Sequence, residues 1–164
     1  MFEISRERPL DGPAIEILLD AAFGTERYDR PAYRLRDGTS PIADLCFVAR
    51  HNADILGTIR FWPLSIPATQ SALLLGPIAV DVAHGNLGIG SRLIEQSLDV
   101  ARARGHDAVA AIGEAHYLSR FGFRPAHEFA LEFPAAVAAG RFHALELQPD
   151  ALRGSGGILA KASG

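Results

Sequence analysis

Residues 73–112 carry the sequence pattern that most restricts the fold. The pattern begins with an apolar run, LLLGPIAV at 73–80, which is typical of a strand that is buried on both faces. A glycine-rich turn follows, then apolar residues at helical spacing over 88–104, and a second apolar run at 108–112. A strand, a helix and a strand within about forty residues predict a right-handed βαβ unit whose two strands are parallel.

Other β-rich runs predict strands on either side of this unit. They lie at 2–8, 45–49, 55–61, 129–133 and 143–147. The turn residues at 51–54 predict a hairpin between the second and third runs, and a hairpin-type pair is expected of the last two. Gly76-Pro77 predicts a bulge or splay in the central strand, because proline has no N–H to donate to a neighbouring strand. We therefore expect an α/β protein with a mixed α+β sheet of about six or seven strands, flanked by helices.

Chain length and charge restrict the class of protein. A length of 164 residues fits a single domain over 1–164. The net charge of −3 comes without a basic stripe, which argues against nucleic acid as a partner. Charged residues near the N-terminus and the lack of an apolar run of about 20 residues argue against a signal peptide and a membrane partner, so we expect a cytoplasmic protein. One cysteine and six histidines without ligand spacing predict no metal site.

The glycine-rich turn predicts an anion-binding site. Asn86, Gly88 and Gly90 allow positive φ angles or close approach of a ligand to the backbone, and Ser91 leads into the helix. A helix that opens on such a turn directs free N–H groups and the positive end of its dipole at one point, which attracts a phosphate or pyrophosphate. The alternative for the glycines alone is a plain tight turn. A Rossmann-type dinucleotide site is disfavoured, because no acidic residue ends a following strand at the expected distance.

Taken with the phrase YLSRFGF at 117–123, this strand, turn, helix and strand resemble the GNAT superfamily of acyl-CoA N-acyltransferases. More narrowly, the chain resembles bacterial predicted N-acetyltransferases with the pattern LLGPLAVDP…GxGIGxxLI…YYxRFGF, over about 34–152. The resemblance implies a GNAT-like fold with its parallel βαβ core at 73–112, one N-acetyltransferase domain, and acetyl-CoA as the cosubstrate. It also implies that the pantetheine arm pairs with the main chain of Ile78, Ala79 and Val80. The pyrophosphate is then expected on the backbone of the turn formed by Asn86, Leu87, Gly88, Ile89, Gly90 and Ser91.

Two positions depart from the family pattern. The first residue of the motif Gln/Arg-x-x-Gly-x-Gly/Ala is Gly85, and Asn86 and Leu87 stand where glycine and arginine are common. Because backbone donors hold the phosphates, we expect weaker binding rather than its loss. Leu118 stands where many members have a tyrosine that acts as the general acid toward the departing thiolate.

Acetyl transfer from a thioester to an amine needs a neutral amine, a polarised carbonyl and a proton for the departing sulfur. Glu114 directly follows the second parallel strand and is the first candidate for the base, with a solvated loop residue or helix N-cap partner as the alternative. Tyr117 is the candidate acid, with a packing role as its alternative. His116 and Ser119 are alternative proton carriers, although a local structural role is favoured for each of them.

The combined pattern predicts an N-acetyltransferase that moves an acetyl group from acetyl-CoA directly to an amine. Direct transfer is expected because no covalent nucleophile is visible. The alternative is a non-catalytic acyl-CoA-binding module, suggested by Leu118 at the usual acid position. The acceptor, a small molecule or a peptide amine, is not encoded in a motif, and its pocket is expected from 27–35, 62–70 and the late strands. A homodimer is a further implication of the resemblance.

Overall fold

The structure, a computed structural model, describes residues 1–162 and is organised around one mixed sheet. The strands are β1 (Glu3–Arg6), β2 (Phe47–His51), β3 (Asp54–Ser65), β4 (Ala72–Val80), β5 (Ala108–Ile112), β6 (Arg124–Pro125), β7 (Leu131–Glu132), β8 (Phe142–Glu146), β9 (Gly157–Ile158) and β10 (Ala160–Lys161). The helices are α1 (Gly12–Phe23), α2 (Tyr33–Arg36), α3 (Ile89–Ala103) and α4 (Ala115–Ser119). Within 1–162, none of the helices has both the length and the apolar character needed to cross a bilayer.

The main sheet has eight strands, in the order β1-β2-β3-β4-β5-β8-β6 with β10 added to β3. β4 and β5 are parallel, as predicted, and the other pairs of this sheet are antiparallel. The predicted hairpin joins β2 to β3, and its turn is closed by Asn52 in the left-handed region with φ of 55°.

The predicted hairpin between the last two β-rich runs is wrong. β8 lies between β5 and β6, whereas β7 pairs in parallel with β9 in a separate two-stranded sheet. The reason is local, because a 3₁₀ turn over Ala126–Phe129 and a left-handed Ala130 with φ of 57° interrupt the run. Only Leu131–Glu132 stays extended, and its partner comes from the C-terminal segment.

The two long helices cover opposite faces of the sheet. α3 buries the five residues that its spacing predicts, which are Ile89, Leu93, Ile94, Leu98 and Ala101. They pack in one cluster with Phe47 and Ala49, while α1 packs with Val48. Neighbouring residues of a strand point to opposite faces, so α1 lies behind the sheet and α3 in front of it. Gly57 lets α3 approach closely, since a Cβ atom there would lie 2.7 Å from Ile89 Cγ2.

The parallel strands separate part-way along their length. β4 pairs with β5 only over Ala72–Leu74, opposite Ala108–Ala110. Beyond that point β4 stays paired with β3 through Ile78, Ala79 and Val80, after a register shift between Ile59 and Phe61. This irregularity beside Gly76-Pro77 confirms the predicted bulge. Among residues 1–162, the β5-facing edge of the second half of β4 has no strand partner, and a cleft opens there.

Candidate active site

Two cavities lie along the second half of β4. The first, which we name the arginine cavity, has a volume of about 380 Å³ and is bounded by Leu75–Ile78 of β4 and Ile112 and Gly113 at the end of β5. The second, which we name the turn pocket, measures about 330 Å³ and is bounded by Val80, the glycine turn and α4. One strand therefore contributes to both cavities, and its unpaired edge runs from one to the other.

The turn pocket has the features of a phosphate site. Gly88 precedes α3 in the left-handed conformation with φ of 73°, as the glycine pattern predicts. The first intrahelical bond runs from the Arg92 N–H to the Gly88 carbonyl at 3.1 Å. The N–H groups of Ile89, Gly90 and Ser91 in the first turn thus have no intrahelical acceptor and are available to an anion.

Most of the predicted cofactor-binding residues line one of the two cavities. Those in the turn pocket are Val80, Asn86, Gly88, Ile89, Gly90 and Ser91. Ile78 lines the arginine cavity instead. Ala79 and Leu87 line neither, because the Ala79 side chain is buried against α1 and Leu87 is 51% exposed to solvent.

Arg120 is a pocket residue that the sequence prediction missed. Its Nη2 donates to Ser91 Oγ at 3.4 Å, so the guanidinium lies beside the first turn of α3. The same group lies 5.4 Å from the ring centroid of Tyr117 and 5.6 Å from that of Phe121. A cation and the helix N-terminus therefore meet in one pocket. The sequence offered one signal for Arg120, its place in the YLSRFGF phrase. Only the orientation of α4 shows that its side chain lines the turn pocket.

α4 directs Tyr117, and not Leu118, toward the turn pocket. The Leu118 side chain is 4% exposed and packs in the core beside Gly113. The Tyr117 ring lies edge-on against Phe121 with centroids 5.3 Å apart, and its hydroxyl points at Gly90. The leucine at the family's usual acid position is therefore a core residue in this chain, while the preceding tyrosine faces the turn pocket.

The other proton-transfer candidates lie outside the two cavities. Glu114 is exposed at the start of α4, where its carbonyl accepts from the Leu118 N–H and its side chain caps no N–H group. His116 is exposed as well, and the Ser119 hydroxyl donates to the His116 carbonyl at 2.9 Å. The structure thus places Tyr117 on a cavity wall and does not bring Glu114 onto the same wall.

The arginine cavity combines apolar and cationic walls. Its apolar part includes Phe23, Leu75, Ile78, Ile112 and Val137, and its cationic part consists of Arg27, Arg30, Arg36 and Arg141. No carboxylate or histidine is among the lining residues that the structure describes. The predicted segment 27–35 and the loop before β8 line this cavity, whereas the segment 62–70 does not.

The buried arginines of this cavity differ in how their charges are compensated. Arg27, 3% exposed, forms ion pairs with Glu16 and Asp20 of α1 and donates to the Tyr28 hydroxyl at 2.8 Å. Arg36 is 7% exposed, and none of the carboxylates within 1–162 forms an ion pair with it. Burial lowers the pKa of Arg36 to about 10, and the neighbouring Tyr33 opposes that shift, so the guanidinium stays protonated at neutral pH.

Cys46 is inert in this fold. Its thiol is 2% exposed and donates to the Ile42 carbonyl at 3.2 Å. Burial raises the pKa of the Cys46 thiol to about 11, so the thiolate that a nucleophile requires is not formed at neutral pH. Within the described residues, no group of three or more histidine, cysteine, aspartate or glutamate side chains could hold a metal ion.

Comparison with known proteins identifies the family. The model of the acetyltransferase (GNAT) family matches residues 13–123. The uncharacterized N-acetyltransferase YhbS of Escherichia coli strain K12 is 28% identical over 157 residues, which are 93% of this chain and 92% of YhbS. The crystal structure of YhbS in complex with CoA has a TM-score of 0.84 and 27% identity, and the match covers 98% of this chain and 89% of YhbS. A GNAT family acetyltransferase from Brucella melitensis in complex with acetyl-CoA has a TM-score of 0.73 and 26% identity, over 99% and 97% of the two chains.

These matches confirm the predicted mixed α/β fold, the N-acetyltransferase class and acetyl-CoA as the cosubstrate of the family. They give no support to a non-catalytic acyl-CoA-binding module, because the relatives are named as N-acetyltransferases. With a family model that spans more than half of its residues, the chain belongs to the GNAT family of acetyltransferases.

Proposed function

We propose that the protein transfers an acetyl group from acetyl-CoA directly to an amine that enters through the arginine cavity. The observation that carries the proposal is the unpaired edge of β4, which joins the turn pocket at Val80 to the arginine cavity at Leu75–Ile78. A cosubstrate with a phosphate end and a thioester end fits this arrangement, because it can occupy the turn pocket and still present its acyl group to the arginine cavity.

The proposed position of acetyl-CoA follows from the donors along this path. Its pyrophosphate would accept hydrogen bonds from the first-turn N–H groups of α3, and Arg120 would supply the nearby positive charge. The amide groups of the pantetheine arm would pair with the main chain of Ile78, Ala79 and Val80, as an added strand pairs with a sheet edge. The thioester would then lie where β4 separates from β5.

The reaction in this proposal is one direct transfer. The neutral amine nitrogen attacks the thioester carbonyl carbon, a C–N bond forms and the C–S bond breaks. The proton lost by the nitrogen balances the proton gained by the CoA thiolate, so the products are an acetylated amine and free CoA. The buried Cys46 thiol supports direct transfer, since it is unsuited to hold the acetyl group.

We assign the proton donor to Tyr117 and the proton acceptor to Glu114. Tyr117 is supported because it lines the same pocket as Val80, along which the pantetheine arm is proposed to run; its hydroxyl points toward Gly90, so the side chain has to turn toward Ile78 to reach the departing sulfur. Glu114 is supported by its position next to Gly113, which lines the arginine cavity, and it would act through a water molecule. The cationic wall of that cavity would assist, because nearby positive charges disfavour the ammonium form of a bound amine.

A direct test measures binding and turnover on the same preparation. Calorimetric titration of acetyl-CoA and of NAD, side by side, is expected to show binding of acetyl-CoA only. Release of the CoA thiol is then followed with a panel of amines that includes amino acids, dipeptides, polyamines and an aminoglycoside. Turnover with at least one amine supports the proposal, and binding of acetyl-CoA without turnover on any amine contradicts it.

Two further expectations belong to this proposal. A cytoplasmic location is part of the proposal, and the family resemblance supports a homodimer. Light scattering of the purified protein at micromolar concentration tests the dimer, for which a single mass of one chain would be the contrary result.

A further inference from the structure

We propose that the acetyl acceptor carries an anionic group, a carboxylate or a phosphate, and that Arg36 binds this group inside the arginine cavity. The inference rests on the proposed function, because it takes the arginine cavity as the place where the acceptor enters.

Arg36 is a buried cation that lacks a counter-charge. Its Nε has no hydrogen-bond partner among the described residues, and the side chain forms no ion pair there. The guanidinium lies over aromatic rings, 4.5 Å from the centroid of Tyr33 and 5.7 Å from that of Trp62. Such rings compensate a buried charge only in part, and an uncompensated buried charge is strongly unfavourable. An anion from outside the chain would complete this site.

The chain neutralises its other largely buried arginines. Arg27 is paired with two carboxylates of α1, Arg50 is paired with Asp11, and Arg60 is paired with Glu7. The side chains of Arg50 and Arg60 are 11% and 18% exposed, so both are more accessible than the 7% exposed Arg36. Of these four arginines, Arg36 alone has no carboxylate partner within 1–162, and this distinguishes it from Arg27, which also lines the cavity.

The position of Arg36 suits an acceptor-binding group. A Cβ atom on Gly76 would lie 2.8 Å from Arg36 Nη2, so the guanidinium rests against the β4 backbone at the splay. The Gly76 carbonyl accepts from Trp62 Nε1 at 2.6 Å, which fixes the neighbouring ring. An anion bound to Arg36 would hold the acceptor beside Ile78, where the thioester is proposed to end.

The remaining walls define the rest of the acceptor. The apolar side chains of Phe23, Leu75 and Val137 suit a hydrocarbon body, and about 380 Å³ is enough for a molecule the size of an amino acid. The exposed Arg30 and Arg141 also line the cavity and add positive charge. Polyamines and aminoglycosides are disfavoured, because their several positive charges would face this cationic lining.

The test uses matched pairs of amines that differ only in the anionic group. Leucine is compared with leucinamide, and phosphoethanolamine with ethanolamine, so that the two pairs distinguish carboxylate from phosphate. We expect at least about tenfold higher kcat/KM for one anionic member than for its neutral partner. Equal rates within both pairs, or turnover of neutral and cationic amines alone, would overturn the inference while leaving acetyl transfer intact.

Variants then assign the preference to Arg36. Arg36→Gln is expected to abolish the preference through a higher KM for the anionic amine, with little change for the neutral one. A structural role would lower both rates equally and contradict the assignment. Arg34→Gln, an exposed residue on the same helix that does not line the cavity, is the matched control and should keep the preference. Arg36→Lys, which keeps the charge and loses the planar fork, should show an intermediate preference if Arg36→Gln does not fold.

The two proposals fail in different ways. If acetyl-CoA binds and no amine of either kind is acetylated, the proposed function fails, and the inference about its acceptor fails with it. If neutral amines are acetylated and anionic amines are not, the proposed function stands and only the role of Arg36 is refuted.

Discussion

The hydroxyl of Tyr117 lies 2.9 Å from the position that a Cβ atom would occupy on Gly90. Tyr117 belongs to α4 and Gly90 to the first turn of α3, so the missing side chain of the glycine makes room for the tyrosine beside the helix N-terminus. This contact brings together the glycine turn and the YLSRFGF segment, the two sequence segments on which the resemblance to the family rests.

Gly90→Ala should impair acetyl-CoA binding without unfolding the protein. The new methyl group would displace the Tyr117 hydroxyl, which is the far end of a side chain that can move, and it would narrow the turn pocket. We expect the KM for acetyl-CoA to rise roughly fivefold to tenfold, as for the loss of one hydrogen bond. Gly12→Ala is the control, because a Cβ atom there would meet no neighbouring atom within 4 Å and its φ of −47° suits alanine. An unchanged KM in Gly90→Ala would show that the pocket does not hold the cosubstrate.

Tyr117→Phe should lower the rate of the chemical step. The substitution removes the proposed proton donor and keeps the ring that packs on Phe121. We expect kcat to fall by about 100-fold with a small change in the affinity for acetyl-CoA. Stopped-flow measurement of thiol release at saturating acetyl-CoA checks this. If kcat is unchanged while affinity falls, the hydroxyl serves the phosphate and not the departing sulfur.

Arg120→Gln should weaken acetyl-CoA binding by about tenfold at low salt. The guanidinium contributes a charge beside the first turn of α3, where it already contacts Ser91. Because the lost interaction is between charges, the difference from the wild type should shrink as salt is added. Calorimetric titration at two salt concentrations measures both effects. Arg124→Gln, which removes an exposed ion pair with Glu128 outside the turn pocket, should bind acetyl-CoA like the wild type.

Asp11→Asn should destabilise the fold in a way that depends on pH. The hydrogen bonds from Arg50, at 2.8 and 3.0 Å, hold the pKa of Asp11 below its ordinary value, while burial opposes that shift. A carboxylate whose folded pKa is depressed stabilises the protein above its unfolded pKa of about 3.9, and this contribution is lost as the pH falls through the folded value.

We therefore expect Asp11→Asn to lose on the order of 3 kcal/mol at pH 7, with a smaller difference from the wild type below about pH 4. Urea unfolding at several pH values measures this dependence. Asp99→Asn, in a pair whose aspartate side chain is 79% exposed, should change the free energy of unfolding by less than about 0.5 kcal/mol. A difference for Asp11→Asn that is constant with pH would contradict the charge-based explanation.

The βαβ core was predictable because its signals are local. The change from an apolar run to helical spacing and the positive φ of Gly88 are properties of neighbouring residues. Gly76-Pro77 likewise indicated the splay, because proline has no N–H group to donate to a neighbouring strand. By contrast, the pairing of β7 with β9 depends on a segment 26 residues away in the register Leu131 to Gly157, which no local pattern reveals.

The site was less predictable because its decisive contacts join distant segments. Alignment of the YLSRFGF phrase drew attention to Leu118 as a missing acid, but the packing of α4 shows that position to be part of the core. Arg36 gave no sequence signal at all, since its isolation depends on Tyr33, Trp62 and Gly76, which come together only in the folded chain. Of the ranges that were expected to form the acceptor pocket, 27–35 lines the arginine cavity and 62–70 does not.

The interrupted pairing of β4 leaves a cleft with two kinds of wall, one formed by main-chain groups and the other by side chains. Main-chain groups of that strand present the same hydrogen-bonding atoms whatever side chains they carry, so in the proposed arrangement the acetyl-CoA side depends on the path of the backbone. The opposite wall is made of side chains from 27–36 and 137–141, where each replacement alters charge or shape. Redesign of the molecule for a new amine should therefore concentrate on those two segments and leave the strand and its glycine turn untouched.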